Sequence, residues 1–469
     1  MKKFDLNIEK ILENWETHHA IREIIANAID EKLLTNSKDV EILKNRKAWR
    51  IRDFGRGLKY SHLTQKENKE KLSNPNVIGK FGIGLKDALA TLDRQKKKIL
   101  IKSKFGDITL DKSAKQDFKD IVTLHALISD PSDKKMIGTE FVLDGVSDKD
   151  IDKAKQLFLI FSGEKIIETT KYGQIVEKKG DTANIYINGV KVAEEENFLI
   201  SYNITSLTSA IKKALNRERT NVGRTAYSDS VKKILLSSKS TTVAEMLAKD
   251  LKNIDIGTAH DEMKWIDVQE HAVKLLNQAG KYLFATSFEI MSHTDMIDEA
   301  RTSGHSIITI PENLKHKIEG IEDFSGNPIN DILQFVSNYN DSFEFNFIEP
   351  NKLTAKEKVN FNYTDDILNL IGGKPKAVKE IKISTTMRKD ISVRGETVGV
   401  WHPTDSSIII LRRMLKSIKD YSGTLIHEAL HAKSGQGDVS RAFERELTVA
   451  IGQVCEIALK DKKPSGKLK

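Results

Sequence analysis

The amino-acid sequence predicts an α+β multidomain protein. Three observations carry that expectation. A chain of 469 residues exceeds what one hydrophobic core fills. Short alternating runs interleave with helical periods over the first 200 residues. Two helical runs, near 415–434 and 439–459, close the chain. With 39% hydrophobic and 30% charged residues and only 8 prolines, the composition is that of a globular chain, neither disordered nor fibrous. The single cysteine, Cys455, excludes an internal disulfide framework and an all-cysteine zinc site. It suits a reducing compartment, so a cytoplasmic location is expected. The chain start has no apolar run of signal-peptide type, and 18 consecutive apolar residues occur nowhere, so no membrane partner is expected. The net charge is 75 − 67 = +8, but the basic runs are short, as at Lys96–Lys98. A nucleic-acid partner is therefore the less favoured expectation, since such surfaces concentrate their charge.

Element by element, residues 8–34 read as helices and 48–53 alternate like a strand. A glycine-rich stretch follows at 79–86, then strand-like runs at 98–103, 121–128 and 139–144. Asn188-Gly189 marks a hairpin turn within 184–192. Residues 205–280 turn helical. Tyr282-Leu-Phe-Ala, a helix near 292–302 and Ser306–Ile310 then make a small α/β element, and 398–411 read as a hairpin. The expected domains are 1–200, a helical middle region 201–280, a C-terminal domain 281–460 and a flexible tail 461–469.

Three stretches near the N-terminus carry chemistry. Glu23, Asn27 and Asp30 fall at i, i+4 and i+7, one face of a helix. Two acids and a carboxamide on one stripe are costly unless they face a polar cavity. Asp53 shares a strand face with Trp49 and Ile51, so a carboxylate is aimed where a core residue belongs, able to accept a hydrogen bond from a purine amine. Gly55 and Gly57 after it let backbone approach a ligand closely. A protein-kinase Asp-Phe-Gly is excluded, because no His-Arg-Asp loop precedes it and the glycine loop lies downstream. Gly79, Lys80, Gly82, Gly84 and Lys86 then lead into an apolar helix, presenting amides and ammonium charge suited to phosphates. The spacing fits neither a Walker A loop nor a dinucleotide fingerprint.

In this order the three stretches resemble the GHKL ATPase superfamily (gyrase, the ninety-kilodalton heat-shock chaperones, histidine kinases and MutL), over roughly residues 15–145. The resemblance implies a Bergerat-type ATP-binding α/β sandwich. It implies that Glu23 activates water, Asn27 holds Mg²⁺ in a box completed by Asp30, and Asp53 binds the adenine amine. Residues 79–86 would close over the triphosphate, and Thr139 would support Asp53. Arg217, Arg219 and Arg224 are candidates to reach the γ-phosphate, or else a solvated helix end.

At the other end, His427-Glu428-Ala-Leu-His431 puts two imidazoles one above the other on a helix, with a glutamate able to take a proton from metal-bound water. A zinc of this class needs a third protein ligand. Helical geometry mildly prefers Glu446. The run resembles compact gluzincin-type peptidases, a zincin-like domain over roughly 345–455, and that resemblance points to Glu444, with Glu446 and Asp438 as substitutes. Asp438 also suits the N-cap of the last helix. The expectation is an ATP- and Mg²⁺-dependent protein whose ATP-driven homodimer closure gates zinc-dependent cleavage of a protein or peptide substrate, in quality control or antiviral defence. The alternative is a chaperone or DNA-clamp ATPase, like the MORC and MutL branches, whose histidine helix is structural.

Overall fold

Alternation sends every second residue of a strand to one face, and in the N-terminal sheet that face is apolar. Ile51, Phe141, Ile101 and Ile108 pair across neighbouring strands in one buried row. The computed structural model describes residues 2–6, 14–64, 69–74, 77–79, 84–115, 118–215, 222–389, 397–438 and 440–460. The protein is α+β and divides into two compact units, Met1–Leu275 and Leu276–Lys469. The helical stretch expected as a separate middle region thus lies almost wholly in the first unit. Among the described residues no helix is long and apolar enough to cross a membrane.

The first unit contains two sheets. Strands β1 (Lys2–Asp5), β2 (Glu41–Asn45), β3 (Ala48–Arg52), β4 (Lys98–Ser103), β5 (Gly106–Lys115), β6 (Phe118–Ser129) and β7 (Thr139–Asp144) form one sheet in the order β1-β6-β5-β4-β7-β3-β2. Its neighbours are all antiparallel. Helices α1 (Thr17–Thr35), α2 (Tyr60–Thr64), α3 (Lys69–Ser73), α4 (Gly84–Arg94) and α5 (Asp148–Lys155) accompany it. Ile21, Ile24 and Ile25 of α1 join Leu89 and Leu92 of α4 and Ile151 and Ala154 of α5 in one core on the sheet's apolar face. Helix α1 ends where Asn36 adopts φ 51° and returns its N–H to the Lys32 carbonyl.

After α6 (Leu159–Ser162) come β8 (Ile166–Thr169), β9 (Gly173–Val176), β10 (Ala183–Ile187), β11 (Val190–Glu195) and β12 (Ser201–Ile204), ordered β11-β10-β12-β9-β8. Asn188 and Gly189 turn β10 into β11 with φ of 48° and 78°, as a two-residue hairpin of type I′ requires. Helices α7 (Ser209–Ala214), α8 (Arg224–Leu235), α9 (Thr241–Leu251) and α10 (Ile266–Gln278) follow. The fully buried Glu262 accepts hydrogen bonds from the amides of Leu199 and Ile200 and from the Tyr202 hydroxyl, anchoring the approach to β12.

In the second unit, β13 (Tyr282–Ala285), α11 (Ser287–Ser292), α12 (Thr294–Thr302), β14 (Ser306–Thr309), α13 (Glu312–Ile318) and α14 (Ile332–Asp341) build a small element in which β13 and β14 are parallel. Buried Lys315 bridges Asp331 at 2.8 Å and Glu289 at 3.2 Å there. Next come β15 (Phe347–Ile348), α15 (Ala355–Asn362), α16 (Thr364–Asn369), β16 (Glu380–Ser384), β17 (Gly399–His402), β18 (Ser407–Leu411), α17 (Ile418–Ser434) and α18 (Arg441–Leu459). The sheet order is β15-β16-β18-β17, which leaves β17 at an edge. Ile408 and Ile410 of β18 pack with Tyr421, Leu425, Ala429 and Leu430 of α17 and with Phe443 and Ala450 of α18.

Two outcomes are expected. Ile24→Ala, at a position with no exposed surface, should destabilise the first unit by about 2–5 kcal/mol in chemical denaturation. In the second unit, the Arg412 guanidinium bonded to Glu357 holds that carboxyl down to about 2, from an ordinary 4.5. A depressed carboxyl stabilises the folded state above its unfolded value and stops doing so as pH falls through its folded value. Glu357→Gln should therefore lower the melting temperature at neutral pH and flatten its decline between pH 4.5 and about 2, read from thermal melts across that range.

Candidate functional site

Helix α1 is where the N-terminal motifs meet. Its early turns are buried nearly all round, so each acid on it needs a partner. Glu23 is 4% exposed, and its Oε1 accepts from Arg22 Nε at 3.1 Å and Nη2 at 2.9 Å. Its Oε2 lies against Gly84, so close that a Cβ there would strike it. One turn on, Lys71 Nζ donates to Asn27 Oδ1 and to Asp30 Oδ2, both at 3.0 Å. Asp30 also accepts from the amides of Ile78 at 2.6 Å and Gly79 at 2.7 Å. Glu31 then accepts from the Arg56 amide at 2.9 Å and from its guanidinium at 2.8 and 3.0 Å, and it fills the space a Cβ at Gly55 would need. Burial alone would raise the Glu31 carboxyl, but the hydrogen bonds from Arg56 outweigh it and hold the group below its ordinary value.

The two glycine-bearing stretches thus dock along α1 in a fixed order: Gly84 beside Glu23, Gly79 beside Asn27 and Asp30, and Gly55 beside Glu31. From residue 23 to 31 that is a path of roughly 12 Å at the helical rise. Asp53, just past β3, is 5% exposed; its Oδ1 accepts from the Gly55 amide at 2.9 Å. Burial raises its carboxyl, against the hydrogen bonds of Gly55 and Thr139. The Thr139 side chain bonds that carboxylate while the Thr139 carbonyl accepts the Asp53 amide at 3.0 Å. Gly57 and Gly138 have φ of 87° and 82°, and a Cβ on Gly138 would strike the Asp53 backbone. Lys86 lies on the first turn of α4. Lys80 and Gly82 lie outside the described residues, as do Arg217 and Arg219. Arg224 is committed elsewhere, to Asp261 at 2.6 Å and Glu195 at 3.5 Å. Arg22, Glu31 and Lys71 were missed from the sequence. Only Glu31 had a signal, its i+4 spacing from Asn27.

The second candidate site lies on α17. His427 Nε2, His431 Nε2 and Asp438 Oδ1 form a triangle with sides of 3.1, 3.0 and 2.8 Å. Four-coordinate zinc with arms of about 2.0–2.1 Å sets its ligand atoms about 3.3 Å apart, so the triangle fits a divalent ion to within a few tenths of an ångström. His431 Nδ1 pairs with the Gln436 carbonyl at 2.6 Å, which leaves Nε2 facing the triangle. Gly435 ends α17 at φ 65° and turns the chain so that Asp438 comes back over the helix. The third group in this triangle is Asp438, one of the two substitutes the sequence offers, and Glu444 does not join it. Glu444 is exposed on the first turn of α18 because Phe443 takes the inward position. Glu446 pairs with Lys433 at 3.2 Å, and the N-cap of α18 is Ser440, which frees Asp438. Glu428 is 7% exposed, and its Oε2 accepts from the Trp401 amide of β17 at 2.8 Å. Burial pushes its carboxyl up to about 7, opposed by the nearby His431 and by the Trp401 amide. Among the described residues, His427, His431 and Asp438 are the one group of three or more His/Cys/Asp/Glu whose ligand atoms lie close enough together that they could hold a metal ion.

With zinc titrated against a chromophoric chelator, His431→Ala and Asp438→Ala should each weaken binding beyond the roughly 10–100-fold typical of outer contacts. Glu444→Ala should bind like wild type; a loss there would restore Glu444 as the ligand.

Residues 149–241 match the family model described as the Mycoplasma pneumoniae MPN635 N-terminal domain. The matched stretch runs from α5 through the second sheet to the start of α9. A Mycoplasma pneumoniae protein described as uncharacterized is 24% identical over 351 residues, 69% of this chain and 96% of its own length. Another from that organism, described in the same words, is 39% identical over 243 residues, 51% of this chain and 98% of its own length. At that identity and coverage, the chain belongs to the family of this 39% identical Mycoplasma pneumoniae protein.

Proposed function

We propose that the protein binds and hydrolyses ATP with a GHKL-type, Bergerat-like first unit, and that a zincin-like second unit is a zinc-dependent endopeptidase whose activity the nucleotide controls. The nucleotide half is supported above all by the docking of two distant glycine-bearing stretches along α1, with Glu23, Asn27 and Asp30 against Gly84 and Gly79 and with Asp53 bonded to the Gly55 amide. In this scheme Asp53, held by Thr139, accepts from the adenine amine, and Asn27 holds Mg²⁺ against the phosphates. Glu23, fixed on one oxygen by Arg22, keeps its other oxygen toward Gly84 and takes the proton of the attacking water. ATP binding would favour a homodimer, as in the superfamily the sequence resembles.

The peptidase half is supported by the triangle of His427, His431 and Asp438 with Glu428 beside it. A bound zinc ion supplies Lewis acidity toward a peptide carbonyl and toward water. The chain's own part is to fix three ligands on a helix and its following turn, to leave a coordination position open, and to place Glu428 where it can accept a proton and return it to the leaving amine.

The test is a pair of assays on the full chain. Glu23→Ala should lower ATP turnover by about 100-fold or more, the range for losing a general base. Glu428→Gln should lower cleavage of a denatured protein mixture to a similar degree while retaining zinc, and wild-type cleavage should differ with and without ATP. Full turnover by Glu23→Ala would remove the ATPase mechanism, and equal cleavage by wild type and Glu428→Gln would remove the peptidase.

A further inference from the structure

The two imidazoles of the metal triangle share one aromatic platform. Phe443, on the first turn of α18, stacks on His431 with ring centroids 4.1 Å apart and planes 7° apart. The same ring meets His427 edge-on, at 5.0 Å and 74°. His427 and His431 are themselves nearly perpendicular, at 79°. The platform cannot drift. Phe443 is 3% exposed, and its amide donates to the Ser440 hydroxyl that caps α18, at 3.2 Å. Its side chain belongs to the core that α17 and α18 form over β16 and β18.

An imidazole ligand has two orientational freedoms that matter to a metal: rotation within the ring plane and tilt of that plane. For His431 the bond to the Gln436 carbonyl fixes the first, since it ties Nδ1. An in-plane hydrogen bond leaves the second free, and the ring packed flat against His431 in that direction is Phe443. For His427, whose side chain is 39% exposed against 13% for His431, the edge contact with Phe443 limits swing toward solvent. A merely space-filling residue would need volume here but not a flat face. The parallel stack on His431 uses the face of the ring, and the near-perpendicular contact with His427 is made by the same rigid aromatic ring.

We infer that Phe443 is a positioning residue for a divalent metal: its ring sets the tilt of His431 and confines His427, so that both Nε2 atoms converge with Asp438. This rests on the metal reading above and adds a residue outside the ligand set. It also makes the seating of α18 on α17 a determinant of metal affinity.

The test uses the full chain with zinc or cobalt(II) alone. Phe443→Leu keeps an apolar side chain and removes the flat face; Phe443→Tyr keeps the ring. Zinc dissociation constants are measured against a chromophoric chelator, cobalt(II) visible absorption reports ligand geometry, and thermal melting of the metal-free proteins reports folding. Expected is a zinc dissociation constant about 10-fold or more above wild type for Phe443→Leu, with a weakened or shifted cobalt band, and recovery in Phe443→Tyr to near wild type. Should Phe443→Leu lose its cooperative melt, Phe443→Met, unbranched and of similar volume, carries the same comparison. Wild-type affinity and an unchanged cobalt spectrum in a folded non-aromatic variant would overturn the inference while leaving the metal site standing. Absence of stoichiometric zinc in wild type would overturn both.

Discussion

Burying charge on α1 is the constraint from which most of the first unit follows. A carboxylate taken out of water must find cations or amides, and on this helix the buried Glu23 and Asp30 and the partly buried Glu31 do so within nine residues. Glu23 is answered by Arg22 on the same helix, Asp30 by Lys71 and two loop amides, and Glu31 by Arg56. Apart from Arg22, those partners come from stretches far along the chain, so satisfying Asp30 and Glu31 brings residues 55–56, 69–73 and 78–79 onto one helix. The glycines follow from the same closeness. At positions 55 and 84 a side chain would collide with the carboxylates being satisfied, and at 79 it would crowd the Asp30 carboxylate. Elsewhere on α1, Ile21, Ile24 and Ile25 hold the helix to the sheet, so the polar stripe cannot turn out to solvent.

What was legible in the sequence was periodicity and local chemistry. The stripe at 23, 27 and 30, the strands at 98–103 and 139–144, the Asn-Gly turn and the two final helices are all short-range patterns. Strand β5 was not legible: Asp107, Thr109, Asp111 and Lys112 make it look like a polar loop, because one face of the antiparallel sheet is solvated there. The partners of the buried acids were equally hidden. Lys71 sits 41 residues from Asp30, and no local spacing connects them. The third member of the triangle with His427 and His431 shows the same gap. Helical geometry prefers Glu446 and the resemblance points to Glu444, with Asp438 a substitute, while the group that arrives is that substitute, from the glycine-flanked turn before α18. A turn's direction depends on backbone angles such as the φ of 65° at Gly435, which composition does not reveal.

The edge strand beside α17 also differs from a simple open template. Glu428 occupies the outward amide of Trp401, so the carboxylate with the greatest burial near the triangle also caps the strand. A peptide that paired along β17 at that point would compete with Glu428 for one N–H. Under the proposed peptidase reading, substrate pairing and the placement of Glu428 would be coupled through this single hydrogen bond.

The stretch that matches the family model, residues 149–241, shares a hydrophobic core with the sheet that precedes it. Helix α5 packs on α1, and Ile151, Ala154, Phe158 and Val190 all belong to the core of the preceding sheet. A recombinant fragment begun at residue 149 would display those four side chains to water and strip the upstream half of part of its lining. The border of the family-model match runs through a hydrophobic seam, so truncations meant to isolate either side should be drawn where chain crosses solvent, not where that match starts.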